Sequence, residues 1–170
     1  MKFVLLVSTA LLAAAPAVRA QDALATAGDA YAAAWDAEPL TIQFATLLRE
    51  PATGYGLYNP RADNVLKPGE HALIYIEPVG FGYKVDANSF TIFGLTVDLS
   101  IAKPDGTVVF SQNNWAHLEW ISRIRIHEVI MNMDLGLGPL PAGDYMLNFL
   151  VHDENSTETA PFNLSIKISG

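Results

Sequence analysis

The sequence predicts an all-β protein, an antiparallel β-sandwich that follows a short N-terminal α-helix. Three observations support this fold class. After Leu40 several stretches alternate apolar and polar residues, which is the pattern of strands that place one face in a core. Glycine, proline and asparagine separate these stretches at short intervals, and alanine-rich sequence is concentrated near the N-terminus. Together these features indicate about seven short strands.

Residues 1–20 have the order of a cleavable secretory signal peptide. Lys2 is followed by an apolar run, and the small-residue pattern Val18–Arg19–Ala20 predicts cleavage near Ala20. The run is shorter than the ~20 apolar residues that a membrane-spanning helix needs. The chain contains no cysteine, which favours a bacterial periplasm over a disulfide-rich extracellular setting. We therefore expect a periplasmic or secreted bacterial protein whose mature chain has no membrane span.

The mature chain is predicted to consist of a helical segment, residues 21–39, and one sandwich domain, residues 40–170. The helical segment is rich in alanine, opens near Asp22 and stops at Pro39, because proline disfavours a helical conformation in the residue before it. Its larger apolar residues, which include Tyr31 and Trp35, fall on one stripe. This stripe either packs on the sandwich or presents the two aromatic side chains to a partner.

Alternation and turn residues predict the strands of the sandwich in chain order. The clearest is Phe93–Ile101, after which Lys103–Gly106 has the residues of a tight hairpin turn. The other predicted strands are Leu40–Leu48, Ala72–Ile76, Thr107–Phe110, Tyr145–Val151 and Phe162–Ile168, with further strand sequence between His117 and Asp134.

Between His117 and Asp134 the apolar residues change from even to odd positions near His127 and Glu128. A one-residue shift exchanges the two faces of a strand. The sequence therefore predicts a bulge, a break or two separate strands at this point.

The segment Leu140–Tyr145, followed by an alternating strand, resembles the tyrosine-corner region of immunoglobulin-like and fibronectin-like domains. The resemblance implies an immunoglobulin-like sandwich. The Cys-Trp-Cys pattern of antibody domains is missing, because the chain has no cysteine. No functional residue follows from this resemblance, since one fold hosts many functions.

The charge of the chain argues against nucleic acid as a partner. The formal net charge is −8, and removal of residues 1–20 takes away Lys2 and Arg19 but no acidic residue. Binding to a phosphate backbone needs clustered lysine and arginine. We therefore expect no nucleic-acid partner.

Aromatic and charged residues make binding to a protein, an envelope component or a glycan the first functional hypothesis. Aromatic residues in the loops around the predicted strand Ala72–Ile76 either fold back as a small core or stack on a ligand. Tyr75 and Glu77 are expected to face outwards, next to the strand that begins at His117. There they would either pair with charged residues of that strand or join them in binding a partner. The candidate residues are Tyr55, Tyr58, Arg61, Tyr75, Glu77, Phe81, Tyr83, Trp115, Arg123 and Arg125.

The alternative hypothesis is a periplasmic protein that binds a small ligand or a metal ion. His117 and Glu119 are two residues apart and would share one face of a strand, and His127 is the third candidate ligand. The sequence shows no Gly-x-Ser-x-Gly motif and no cysteine nucleophile. We therefore predict a protein that is not an enzyme and that needs no cofactor.

Overall fold

The computed structural model describes residues 16–138 and 140–170, and side chains from Gln21 onwards. Residues 1–15 of the predicted signal peptide lie outside the described residues. The elements in chain order are α1 (Pro16–Ala37), β1 (Thr41–Leu48), β2 (Val65–Leu66), β3 (His71–Val79), β4 (Lys84–Val85), β5 (Thr91–Ala102), β6 (Val108–Ser122), β7 (Met131–Gly136), β8 (Gly143–Asp153) and β9 (Thr159–Ile168). Helix α1 is the only helix in the described residues, and it does not combine the length and the apolar character that a membrane-crossing helix requires.

The predicted N-terminal helix is confirmed, and it begins further upstream than expected, at Pro16. Proline suits the first turn of a helix, where its missing N–H group is not needed. The chain divides into two compact units, one that ends at Ala34 and one that comprises Trp35–Gly170. In the first unit the Thr26 hydroxyl donates a hydrogen bond to the Asp22 carbonyl at 2.8 Å, and the side chains of Leu24 and Tyr31 are exposed.

The unit Trp35–Gly170 consists mostly of β-strands arranged in two sheets. The smaller sheet has the antiparallel order β1-β3-β7. The larger sheet has the order β2-β9-β8-β5-β4, with β6 paired to β5, and its only parallel pairing among the described strands is the short contact of β2 with β9. Seven of the strands have six or more residues, which matches the predicted number.

Both sheets contribute their inner faces to one hydrophobic core, as expected of a sandwich. The prediction that Ala72, Ile74 and Ile76 face the core is confirmed, since all three are fully buried. The alternation predicted for Phe93–Ile101 is also confirmed, because its odd-numbered residues are buried and most of its even-numbered ones are partly exposed. Further core residues are Met131, Met133 and Leu135 of β7, Leu147 and Val151 of β8, and Ile166 and Ile168 of β9.

The change of parity near His127 is explained by a crossing between the sheets. Strand β6 ends at Ser122 in the larger sheet and β7 begins at Met131 in the smaller one. The sequence prediction of two separate strands is therefore confirmed. No strand is formed between Ser122 and Met131, so the inward positions of β7 need not keep the parity of those in β6.

Two predicted turns have the expected hydrogen bonds. In the hairpin between β5 and β6, Gly106 N donates to the Lys103 carbonyl at 2.9 Å, and Lys103 N donates to the Thr107 carbonyl at 2.9 Å. At the start of β8 the buried Tyr145 donates its hydroxyl proton to the Pro141 carbonyl at 2.9 Å. A tyrosine that bonds to the backbone a few residues upstream is the feature that defines a tyrosine corner.

Candidate functional site

The loop that follows β1 packs back onto the smaller sheet, and its candidate residue Tyr58 is part of a second small core. Tyr58 lies against Phe44 with ring centroids 5.3 Å apart and against Tyr75 at 4.6 Å. The side chain of Asn132 fastens the loop by accepting from Ala52 N at 3.1 Å and donating to the Ala52 carbonyl at 2.9 Å. Of the two alternatives for the loop aromatics, packing therefore accounts for Tyr58.

Tyr75 lies on the face of β3 that points away from the main core, but the expectation that it is exposed is wrong. Its side chain is fully buried beneath the loop. Its hydroxyl donates to Glu77 Oε1 at 2.5 Å and accepts from Gly56 N at 3.0 Å. Burial, together with the adjacent Glu77 carboxylate, raises the pKa of Tyr75 to about 12. Tyr55 is the aromatic residue of this loop that stays accessible, with 38% of its surface exposed.

The aromatic candidates that follow β3 in the chain, Phe81, Tyr83 and Trp115, also pack against other side chains of the protein. Phe81 is buried against Trp35 and Phe93, with ring centroids 5.0 Å and 4.5 Å away. Tyr83 donates its hydroxyl proton to the Ile126 carbonyl at 2.8 Å. Trp115 is half-buried, with its ring centroid 6.0 Å from that of Phe149. These side chains therefore offer little free aromatic surface to a ligand.

The predicted binding face that joins Tyr75 and Glu77 to Glu119, Arg123 and Arg125 does not form. Strand β3 pairs with β1 and β7, whereas β6, which carries Glu119, pairs with β5 in the other sheet. The physical reason is that alternation determines which face a residue takes but not which strand becomes its neighbour.

The candidate arginines are held by other residues. Arg123 and Arg125 follow the end of β6, where Arg123 stacks over Phe90 at 4.4 Å. Arg125 lies over Tyr83 at 4.9 Å and pairs with Asp36 at 2.7 Å.

Arg61 has a structural role in the turn before β3. Its Nη1 donates to Glu70 Oε1 at 2.7 Å and its Nη2 donates to the Val65 carbonyl at 2.7 Å. The Glu70 carboxylate also accepts from Lys67 N at 2.8 Å. This backbone N–H group and the Arg61 guanidinium lower the pKa of Glu70. The Arg61 guanidinium and the Lys67 N–H group thus both hold the Glu70 carboxylate and stabilise the turn.

The candidate metal ligands are distributed over separate contacts. His117 pairs with Glu154 at 3.2 Å, whereas His127 packs on the ring of Trp35 with centroids 4.5 Å apart. Burial and the neighbouring Arg125 lower the pKa of His127. Within residues 16–138 and 140–170, no three His, Cys, Asp or Glu side chains form a group that could hold a metal ion.

Strand β6 carries more exposed large apolar residues than any other described strand, and the sequence-based hypotheses do not include it as a binding surface. The sequence predicts only Thr107–Phe110 as a strand before a loop at Asn113 and Asn114, but the structure forms one strand of 15 residues. Its exposed large apolar residues are Val108, Val109, Phe110, Trp120 and Ile121. The signal that could have revealed it is composition, because Glu119 is the only Asp, Glu, Lys or Arg between Val108 and Ser122.

Strand β6 is irregular at its centre. Gln112 pairs with Leu99 and Ala116 with Val97, so the residues between them bulge out of the ladder. Asn114 takes the left-handed conformation there, with φ of 49°, and its N–H group donates to Asp98 Oδ1 at 2.8 Å. This bulge explains why the alternation is interrupted in the sequence.

One edge of β6 pairs with β5, and the opposite edge has no strand partner in the described part of the chain. Beside it, Val109 and Phe110 border an apolar groove of about 370 Å³. The other side chains of the groove are those of Ile101, Leu135, Leu137 and Leu140. An edge with free backbone groups next to apolar side chains is suited to pairing with another strand.

Comparisons with known proteins give no family assignment: no protein-family model matches the sequence, and no curated protein matches it. The function proposed below therefore rests on the residues of this chain and their contacts.

Proposed function

We propose that this protein is a non-enzymatic binding module that pairs an extended segment of a partner polypeptide with the open edge of β6. The observation that carries the proposal is the combination of length and composition in this strand, 15 residues with five exposed large apolar side chains. Edge strands that do not pair are normally short or protected by charged residues or proline. Strand β6 has one charged residue, Glu119, and no proline.

Recognition by strand addition explains how such a surface gains both affinity and selectivity. Backbone hydrogen bonds from the partner would satisfy the open N–H and C=O groups, and alternate side chains of the partner would contact the two faces of the sheet. The groove beside Phe110 is large enough to receive an apolar side chain of that partner. A polypeptide is favoured over a glycan because Tyr58 and Phe81, which could stack on a sugar ring, are packed in the protein.

The proposal includes an immunoglobulin-like sandwich that acts in the bacterial periplasm or outside the cell. The hydrogen bond from Tyr145 to the Pro141 carbonyl and the core shared by the two sheets support the fold. The order of Lys2, the apolar run and Ala20 supports secretion.

Site-specific crosslinking tests the proposed surface. The chain has no cysteine, so Trp120→Cys provides a single attachment point for a photoactivatable group on β6. Val85→Cys on β4 is the matched control, because Val85 is also an exposed apolar strand residue but lies outside β6. In an envelope extract we expect the variant labelled at position 120 to form discrete adducts with other proteins. The variant labelled at position 85 should form none of these same adducts. Identical adducts from both positions, or no protein adduct from position 120, would contradict the proposal.

A further inference from the structure

We infer that one polypeptide bound by this edge is a second copy of the same chain, with the two β6 strands antiparallel about a two-fold axis near Trp115. The inference rests on the proposed role of β6 and names its partner. Homo-oligomers with two-fold symmetry need a surface that is complementary to itself. Strand β6 meets this requirement in its apolar pattern and in its charges.

Four of the five exposed large apolar residues of β6 are placed symmetrically about Trp115. Phe110 lies five positions before it and Trp120 five positions after it, while Val109 and Ile121 lie six positions away on either side. In an antiparallel pair centred on Trp115, residues at equal distances from the centre face each other. Phe110 of one copy therefore lies opposite Trp120 of the other, and Val109 lies opposite Ile121.

Phe110 and Trp120 also point to the same face of the sheet, as a cross-strand pair requires. Phe110 pairs with Ile101 and Trp120 with Phe93, and both of these β5 residues are buried in the core. Directly paired residues share a face. Self-pairing would therefore add two aromatic contacts to the inner face of a continuous sheet, and it would cover side chains that are 39% and 49% exposed in one chain.

The charges of the strand permit this arrangement although the whole chain is acidic. Glu119 would lie opposite Ser111 of the other copy, so no like charges are directly opposed within the strands. Beyond the strand ends, the turn that carries Asp105 in one copy would lie beside the segment that carries Arg123 in the other. That turn also carries Lys103, so its net charge is zero and it sets no net like charge against Arg123.

The bulge between Gln112 and Ala116 divides β6 into Val108–Gln112 and Ala116–Ser122, and a second, smaller irregularity lies at Val109, between the pairs Phe110–Ile101 and Val108–Ala102. In the proposed register each part pairs with the other part of the second copy, and the two bulges meet at the axis. The irregular centre therefore leaves room for strand pairing between the two copies on both sides of the axis.

Sedimentation velocity over a range of concentrations tests the inference. We expect a monomer–dimer equilibrium for the wild-type chain and a dissociation constant at least about tenfold weaker for Phe110→Lys and for Trp120→Lys. The control Val85→Lys should dimerise like the wild type. A chain that stays monomeric at every concentration, or dimers that are equally strong in all variants, would overturn the inference.

Disulfide formation tests the register without depending on how the lysine variants fold. We expect that an oxidised mixture of Phe110→Cys and Trp120→Cys chains gives a crosslinked dimer of one chain of each kind, whereas each variant alone gives little. Equal crosslinking in the mixture and in the separate variants would contradict the register. If self-association fails while position 120 still gives adducts with other proteins, the inference falls and the proposed binding module stands.

Discussion

The hydroxyl group of Tyr75 donates a hydrogen bond to Glu77 Oε1 and accepts one from Gly56 N, at 2.5 Å and 3.0 Å. The first contact lies within β3 and the second reaches the loop after β1. One buried hydroxyl group therefore fastens this loop to the outer face of the smaller sheet. The aromatic residues of this loop, which the sequence indicates as a candidate binding site, lie in a loop that is held by contacts with β3.

Removal of this hydroxyl group should lower stability without opening a cavity. Tyr75→Phe leaves Gly56 N without its partner, and we expect a loss of about 1–2 kcal/mol in the free energy of unfolding, measured with urea. Tyr55→Phe is the matched control, since Tyr55 is exposed, and its stability should stay within about 0.5 kcal/mol of the wild type. Equal stabilities of the two variants would argue against the role assigned to Tyr75.

The raised pKa of Tyr75 predicts a loss of stability in alkali. Because the folded pKa of about 12 exceeds the ordinary value of 10.0, the neutral hydroxyl group is favoured in the folded chain. Its contribution is complete below pH 10 and is lost as the pH rises towards 12. The wild-type chain should therefore lose its stability advantage over Tyr75→Phe between about pH 10 and pH 12. A difference that stays constant across this range in urea unfolding would disprove the shift.

Gly80 is a position where a side chain should not be tolerated. It has φ of 75°, and an added Cβ would lie 2.4 Å from the Pro39 carbonyl oxygen, a backbone atom that cannot easily move. Gly80→Ala should cost about 3 kcal/mol or more, from the left-handed conformation and the clash together. Gly106→Ala is the control with φ of 86° and open space around it, and it should cost about 1–2 kcal/mol. Thermal unfolding that ranks Gly106→Ala as the worse variant would refute this explanation.

Asp98 connects the bulge of β6 to the neighbouring strands. Its carboxylate accepts from Asn114 N and contacts His152 Nε2 at 2.9 Å, and these two partners lower its pKa below the ordinary 3.8. A lowered folded pKa gives stability that is present above pH 3.8 and lost as the pH falls further. Asp98→Asn should therefore cost about 1 kcal/mol at neutral pH and progressively less below about pH 4.

The comparison for Asp98 is Asp144→Asn, which alters an exposed aspartate on β8. Urea unfolding at neutral pH should show a loss of less than about 0.5 kcal/mol for this variant, because its side chain is exposed. If Asp98→Asn is as stable as Asp144→Asn at neutral pH, the carboxylate does not hold the bulge.

The strands could be predicted from the sequence where one face of each lies in the core. The alternation in β5 and the turn at Gly106 are local features, and the structure has both. The segment Leu140–Tyr145, which resembles a tyrosine-corner region, likewise forms a hydrogen bond between residues close in sequence. Such features follow from periodicity and turn chemistry without knowledge of the pairing order.

The candidate site could not be predicted because it depends on contacts distant in sequence. Burial of Tyr75 results from a loop that the alternation of β3 does not describe. The exposure of Phe110 and Trp120 results from the position of β6 beside β5, with no further strand on its other side in the described residues. An inward-facing aromatic residue on such a strand has the same sequence pattern as one in a central strand.

Hydrogen exchange of the β6 backbone shows whether this edge pairs with another strand, because amides on a paired edge exchange more slowly than amides on an open one. The wild-type chain should be compared at low and high concentration, with the amides of β8 as an internal reference. We expect protection within Val108–Gln112 and Ala116–Ser122 to increase with concentration, and protection in β8, which lies between β5 and β9, to stay constant. Exchange in β6 that is fast and independent of concentration would contradict pairing with a second copy. If exchange in β6 also stayed fast when a partner is crosslinked at position 120, the result would contradict any use of this edge for binding.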